Sequence, residues 1–424
     1  MMELVVATLL KIVFMLVLVI GLIPVLVWAE RKGSAFIQDR TGPNRASVAG
    51  IRLGGLVHPI ADVVKLLFKE DVRPDGVHGF LYALAPFVVF FVALVTYAVI
   101  PFGDYLEVGG RQIPLVVADL NVGILYVFAI ASLGTYGIVM AGWASNNKYA
   151  FLGALRSTSQ MISYEISMGL AIMGLLLIFQ SLRLTEIVSG QGDLIWGFLP
   201  KWGVVIQPLG ALLFITAIFA ETNRTPFDLP EGESEIVAGY HLEYSSMKFA
   251  LFFMAEYANM VIGAALIATL FFGGWNIPWL SRQTITAGAD TLLPLVLGLQ
   301  AVVSGVIAWL FFRRAVRERG KFGDARDREP GLLGGFFAVV GALSLASFAL
   351  APWRVGPAGA SLFATLLQVG AFVGKVVFFC WFFVWVRWTL PRFRYDQLMS
   401  LGWKVMLPLA LANLVITAVG VAIV

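Results

Sequence analysis

Apolar runs recur along the chain at about 4–29, 80–102, 122–142, 161–181, 204–220, 247–272, 291–312, 331–351, 363–390 and 405–424. Each is near the ~20 residues with which a helix crosses a ~30 Å hydrocarbon core, and a helix satisfies its backbone hydrogen bonds where no water is present. The pattern predicts an all-α polytopic membrane protein with about ten transmembrane helices. The first run is longer than the apolar region of a signal peptide. No basic segment precedes it and no convincing cleavage site follows, so it is expected to stay in the mature chain.

One segment has a different period. In 50–70, GIRLGGLVHPIADVVKLLFKE, apolar Leu53, Leu56, Val57, Ile60, Val63, Val64 and Leu67 fall at helical spacing, while His58, Asp62, Lys65 and Lys69 advance by four, three and four. This predicts an amphipathic surface helix with Pro59 in its first turn. Its apolar face suits a peripheral membrane anchor, and its polar face, with Asp62 between His58 and Lys65, equally suits the wall of a cavity.

Composition sharpens the picture. The chain is 59% hydrophobic and 13% charged with a mean hydropathy of +0.86, whereas roughly a quarter of the residues of a soluble domain are charged. The partner expected from this is a lipid bilayer, and no nucleic acid is expected. A single cysteine, Cys380, lies inside an apolar run, so neither a disulfide framework nor a thiolate-ligated cluster is expected from this chain alone. His58, His78 and His241 show no metal-ligand spacing, and no metal is expected.

Lysine and arginine alternate between connections. Eight lie in 30–79, one in 103–121, seven in 313–330, one in 352–362 and four in 387–404. Because positive residues are retained on the cytoplasmic side, both termini are expected outside. One inner connection breaks the rule with an acidic excess: Glu221, Asp228, Glu231, Glu233, Glu235 and Glu243 precede Lys248 with Arg224 as the only cation among them.

Five stretches in order, AERKGSAFIQDRTGPNR (29–45), ADVVKLLFKED (61–71), SYEISMGL (163–170), ETNRTPFDLPEGESEIVAGYHLEYSSMKFALFFMAEY (221–257) and LPRFRYDQLMSLGWK (390–404), carry a further signal. Together they resemble the quinone-channel, or heel, subunit of proton-pumping NADH:quinone oxidoreductase, respiratory complex I. The resemblance implies a heel-shaped bundle of tilted helices in a bacterial inner membrane, with no covalently bound cofactor and with quinone as substrate. It also implies partners: the peripheral subunits bearing the quinone site and the terminal iron–sulfur cluster, and the small and antiporter-like membrane subunits. Electrons come from those partners, and this chain forms much of the quinone entry channel.

Residue by residue, the resemblance places Arg31, Arg40, Arg392 and Arg394 around the quinone path, with Trp28 and Phe227 flanking the apolar tail, and Asp62, Lys65 and Asp228 joining that lining. Arg31, Lys32, Arg387 and Arg392 suit interfacial anchoring as well. Glu165, Glu221, Glu231, Glu233, Glu235, Glu243 and Glu256 match acids of a funnel between the quinone cavity and the membrane arm. Carboxylates crowded into a cavity of low dielectric disfavour one another's charged forms and exchange protons as a coupled set. The alternative for Glu231, Glu233 and Glu235 is a solvated loop or a docking face. Lys375, mid-span, is expected to partner an acid or link towards a neighbouring subunit, and Lys11 to snorkel.

The chain departs from the usual pattern over 282–362, about 80 residues with two more spans. The expected division is a core over 1–281, the addition over 282–362 and a last pair of spans over 363–424. Three rivals remain: the membrane anchor of a related hydrogenase; a free-standing ion-coupled transporter, which would be expected to show broken-helix repeats; and a passive scaffold, which Glu165, Glu256 and Lys375 argue against.

Overall fold

A computed structural model describes residues 2–229, 239–320, 323, 325–349 and 355–423. Among these residues nine helices are long and apolar enough to cross a membrane, and a tenth apolar helix is shorter. The helices are α1 (Met2–Ile37), α2 (Val57–Phe68), α3 (Gly79–Thr96), α4 (Gly123–Ala144), α5 (Lys148–Phe179), α6 (Leu184–Gly190), α7 (Gly203–Ile206) and α8 (Pro208–Glu221). They continue as α9 (Ser246–Phe271), α10 (Arg282–Ala287), α11 (Ala289–Arg317), α12 (Glu329–Ala349), α13 (Pro357–Thr389), α14 (Tyr395–Ser400) and α15 (Leu407–Ile423). The chain is an all-α polytopic membrane protein, and its only strands among the described residues form two short hairpins, 105–108 with 111–114 and 194–195 with 199–200.

Helices stand at all ten predicted segments, nine of them long enough to span and the fifth, α8, shorter; α1, α5 and α13 run well past their apolar segments. α5 starts at Lys148 rather than near 161, because Asn147 caps it, its side chain accepting from the Tyr149 N–H, and backbone hydrogen bonding carries through Arg156 and the serines that follow. Glu165 therefore stands mid-helix rather than near a span end. The fifth span is broken: α7 ends at Ile206, Gln207 leaves helical geometry, and Pro208 opens α8, where its missing N–H does no harm. Gln207 fills the break by donating to Thr417 and accepting from Asn413.

α9 is the central helix. It packs against α1, α3, α8 and α13, and small residues (Ala255, Ala258, Gly263, Ala264, Ala265, Ala268) let those neighbours approach closely. α11 and α12 pack mainly on each other. Loops gather at two ends. At one, the His78 N–H donates to Ala144, Ser245 bonds Val72, and the Phe393 N–H donates to Pro226. At the other, Ala118 bonds Ala98, Asn276 donates to Val188, and Lys11 reaches the carbonyls of Pro114 and Val116. This grouping of connections matches the alternation of lysine and arginine.

Candidate functional site

The first end of the bundle carries the site. α2 starts at Val57 with Pro59 in its first turn, as predicted, and its polar face is occupied. His58 Nε2 accepts from the backbone of Arg45 and Ala46 at 3.1 and 3.2 Å. Asp62 accepts from Arg31 at 2.5 Å and from Lys65 at 3.5 Å, so α2 lies against the end of α1. One turn earlier on α1, Trp28 Nε1 donates to the Gly54 carbonyl at 3.1 Å. The opposite face of α2 is uncovered, with Ile60, Val63, Leu67 and Phe68 exposed. The polar face of α2 is thus tied to α1, and its apolar face is left open.

Deeper in, four charged side chains meet. Glu30, 5% exposed, accepts from the Tyr257 hydroxyl and pairs with Arg387 and, at 3.4 Å, with Arg224. Arg224, 3% exposed, pairs with Glu256 at 2.9 Å, and its guanidinium stands 4.1 Å from the centroid of the Tyr257 ring. Two carboxylates and two guanidiniums balance each other here. Such burial is tolerable only because each charge has an opposite partner, and guanidinium suits the task by engaging carboxylates and an aromatic face at once.

Sequence patterning misses Glu30. The apolar run stops at 29, and a charge beside Arg31 reads as a span end, yet α1 continues to Ile37. Arg387 resembles an interfacial anchor for the same reason. The available signal is Arg224, a lone cation among six carboxylates.

Next to this cluster, Asp228 accepts from Arg392 at 2.9 Å. Phe227 is buried between the rings of Tyr164 and Phe393. Gln160 ties the turn to α8, donating to the carbonyls of Ala220 and Phe227 and to the side chain of Asn223. Arg40 and Arg394 stay at the surface with local partners, Gln38 and Asp396, and do not join the group.

Towards the middle of the bundle, α3, α4, α5, α8 and α9 enclose a cavity of about 70 Å³, apolar except for Thr96, Glu221, Thr222 and Asn259. That volume holds more than one water molecule. Glu221 is half-buried there, and one of its carboxylate oxygens is buried and lacks a hydrogen-bond partner among the described residues. Glu165 stands close enough for the two charges to repel, and it accepts from Ser132 of α4.

Other expected members lie apart. Glu243 accepts from Asn147 at 2.6 Å near the start of α5. Lys375 donates to three backbone carbonyls, Phe272, Gly274 and Asn276, at 2.6–2.9 Å, and stands over the Trp202 ring. Its hydrogen-bond partners are carbonyls of the turn after α9 rather than a carboxylate. Glu231, Glu233 and Glu235 lie outside the described residues. Among the described residues no group of three or more His, Cys, Asp or Glu is placed to hold a metal ion.

Over residues 10–418 the sequence matches the family described as NADH dehydrogenase. It is 42% identical over 390 residues to an NADH-quinone oxidoreductase H subunit of Cytophaga hutchinsonii, covering 92% of this chain and 89% of the relative. It is 42% identical over 399 residues to NADH-quinone oxidoreductase subunit 8 of Rhodothermus marinus, covering 94% and 92%. With an NADH-quinone oxidoreductase H subunit of Solibacter usitatus it shares 44% over 399 residues, 93% and 91% of the two chains.

Proposed function

The chain belongs to the NADH dehydrogenase family as a membrane subunit of an oxidoreductase complex, and from that premise we propose that it forms the quinone entry channel of complex I and couples quinone reduction to proton translocation. The observation that carries the reading is the order of charged groups through the bundle. Asp62 with Arg31 and Asp228 with Arg392 lie at the loop end, the Glu30–Arg224–Glu256–Arg387 group follows, and Glu221 lines the cavity beyond, with Glu165 near it. Charged groups inside spans are costly and mark paths for ions or protons.

The quinone side is built by Trp28, Arg31, Asp62, Lys65, Phe227, Asp228 and Arg392, with Arg40 and Arg394 available at its rim. The proton side is built by Glu165, Glu221 and Glu256. Glu231, Glu233 and Glu235, which lie outside the described residues, are assigned to the same proton-carrying set from the sequence, and Glu243 and Lys375 stand outside its central line. Residues 282–362 form an addition to a core made of 1–281 and 363–424. Electrons arrive from a cluster-bearing peripheral subunit, and antiporter-like subunits adjoin in the membrane. The complex sits in a bacterial inner membrane with both termini of this chain outside. The names of the relatives favour this reading over a hydrogenase anchor or a free-standing transporter.

Asp62→Ala in the assembled complex tests the quinone half. The apparent KM for quinone is expected to rise about ten-fold, the size of one lost hydrogen bond to a charged group. Unchanged quinone kinetics would return α2 to the role of a membrane anchor.

A further inference from the structure

The turn that leads into α2 has an unusual backbone. Arg52 is right-handed (φ −104°, ψ −21°), and Leu53, Gly54 and Gly55 follow with φ of +49°, +64° and +102°. Leu53 has no glycine's excuse for a left-handed conformation, so the surroundings must hold it there. A right-handed residue followed by a left-handed one turns successive backbone N–H groups to one side, which makes a concave seat for an anion.

That seat is filled from far along the chain. Glu329, the first residue of α12, accepts from the Arg52 N–H at 3.1 Å and the Gly54 N–H at 3.3 Å through one oxygen, and from the Arg52 guanidinium at 2.6 Å through the other. Both side chains are buried, at 1% and 4% exposure. On the other side of the same turn Trp28 holds the Gly54 carbonyl, and a Cβ at Gly55 would stand 2.1 Å from the Pro43 carbonyl oxygen. The turn is thus pinned between α1 and α12, and the next residue, Leu56, is the N-cap of α2.

We propose that Glu329 is a positioning residue for quinone entry: its carboxylate occupies the 52–54 seat and, through Gly54, sets Trp28 and the start of α2, which carries Asp62. The α11–α12 pair thereby clamps the mouth of the channel. This rests on the reading that Trp28, Arg31 and Asp62 line the quinone path. Glu329 touches no substrate and acts through the turn.

The test uses the assembled complex in membranes with Glu329→Gln, Glu329→Ala and Glu329→Asp, and Asp62→Ala as reference. Quinone kinetics are read beside NADH oxidation by a hydrophilic acceptor that bypasses the quinone, and deuterium uptake is followed over residues 48–58. Glu329→Ala is expected to raise the apparent KM for quinone about ten-fold with kcat less affected, as for loss of a hydrogen-bonded charge. Uptake over 48–58 should rise, and the hydrophilic-acceptor rate should stay constant per assembled complex. Glu329→Gln should lie between Ala and the parent. If Glu329→Ala does not assemble, Glu329→Asp, which withdraws the carboxylate by one methylene, must show the same KM rise and uptake in smaller measure. A KM shift in Asp62→Ala with none in the Glu329 variants overturns the clamp and leaves the quinone reading standing. Unchanged KM in both sets overturns the two together. Loss of assembly in proportion to every activity, at constant KM, reduces Glu329 to a folding role.

Discussion

α9 and the α11–α12 pair show how little hydropathy says about burial inside a membrane protein. The most apolar window of α9 has a mean hydropathy of 1.7 and is 72% buried, while those of α11 and α12 reach 2.2 and 2.0 and are 11% buried. The more hydrophobic helices are the ones left facing outward. Lipid tails accept leucine and valine as readily as a protein interior does, so a helix is drawn inward by small residues that allow close packing and by polar groups that need partners. α9 has both, in its alanines and Gly263 and in Glu256 and Asn259. α11 and α12 present Leu295, Leu299, Val302, Leu332, Phe336 and Leu343 to the outside, and they are tied inward by the start of α11, where Ala289 packs with Phe363 of α13, and by the buried carboxylate of Glu329 on Arg52.

The contrast breaks most sharply at Arg224. This guanidinium serves Glu30 and Glu256 together, so Arg224→Ala leaves excess negative charge in the core, at a cost of about 3–5 kcal/mol. Little assembled complex is expected in membranes, and Arg224→Lys should recover only part of it, because an ammonium cannot engage two carboxylates and the Tyr257 ring as a planar fork does. Normal assembly of Arg224→Ala would mean that α9 is held by packing alone.

A smaller effect compares two glycines. A Cβ at Gly263 would stand 2.6 Å from Ile218 Cγ2, whereas one at Gly305 in α11 meets nothing within 4 Å. Gly263→Ala is expected to destabilise by about 1–3 kcal/mol through overpacking. Gly305→Ala should be neutral or slightly stabilising, by up to about 1 kcal/mol, since alanine is the better helix former. Thermal unfolding of the purified complex, followed at this subunit, checks both. Equal destabilisation would remove the distinction between an inward and an outward helix.

The smallest effect lies outside the spans, at Asp71. A hydrogen bond from Lys248, with Arg73 nearby, holds its carboxyl below the usual aspartate range. A group with a depressed folded value binds protons more weakly when folded. Its contribution is therefore fully present above the ordinary aspartate value and fades as pH falls through the lowered one. Asp71 is 40% exposed, so solvent screening keeps this small. Asp71→Asn should leave thermal stability unchanged at neutral pH within measurement and slightly flatten its decline under acid; a marked loss at neutral pH would show that this pair anchors α9.

Much of this arrangement is legible in the residues. The nine long spans and the shorter α8, α2 with Pro59 in its first turn, and the grouping of connections at two ends follow from hydropathy and charge, because a bilayer imposes strong rules on both. Helix ends are less legible: α1, α5 and α13 run past their apolar segments through residues that hydropathy counts as loop, since hydrogen bonding rather than apolarity ends a helix. Glu30 escapes notice for that reason. Glu329 escapes for another: its partner Arg52 is distant in sequence, and nothing local marks a loop carboxylate as the filler of a backbone seat. Lys375 stands out by its depth, but carbonyls freed by a turn are invisible to a search for opposite charges.

The central claim is that Glu165 and Glu221 carry protons between the buried charge cluster and the cavity. It is tested most directly by measuring proton uptake driven by NADH-linked quinone reduction in sealed vesicles holding a Glu165→Gln, Glu221→Gln double variant. The amide keeps size and hydrogen bonding but cannot release a proton. Assembly and electron transfer to a hydrophilic acceptor should match the parent, while coupled turnover and pumping fall on the order of ten-fold or more, with Asp at either position milder. An intact double variant that pumps at the parent rate would contradict the account.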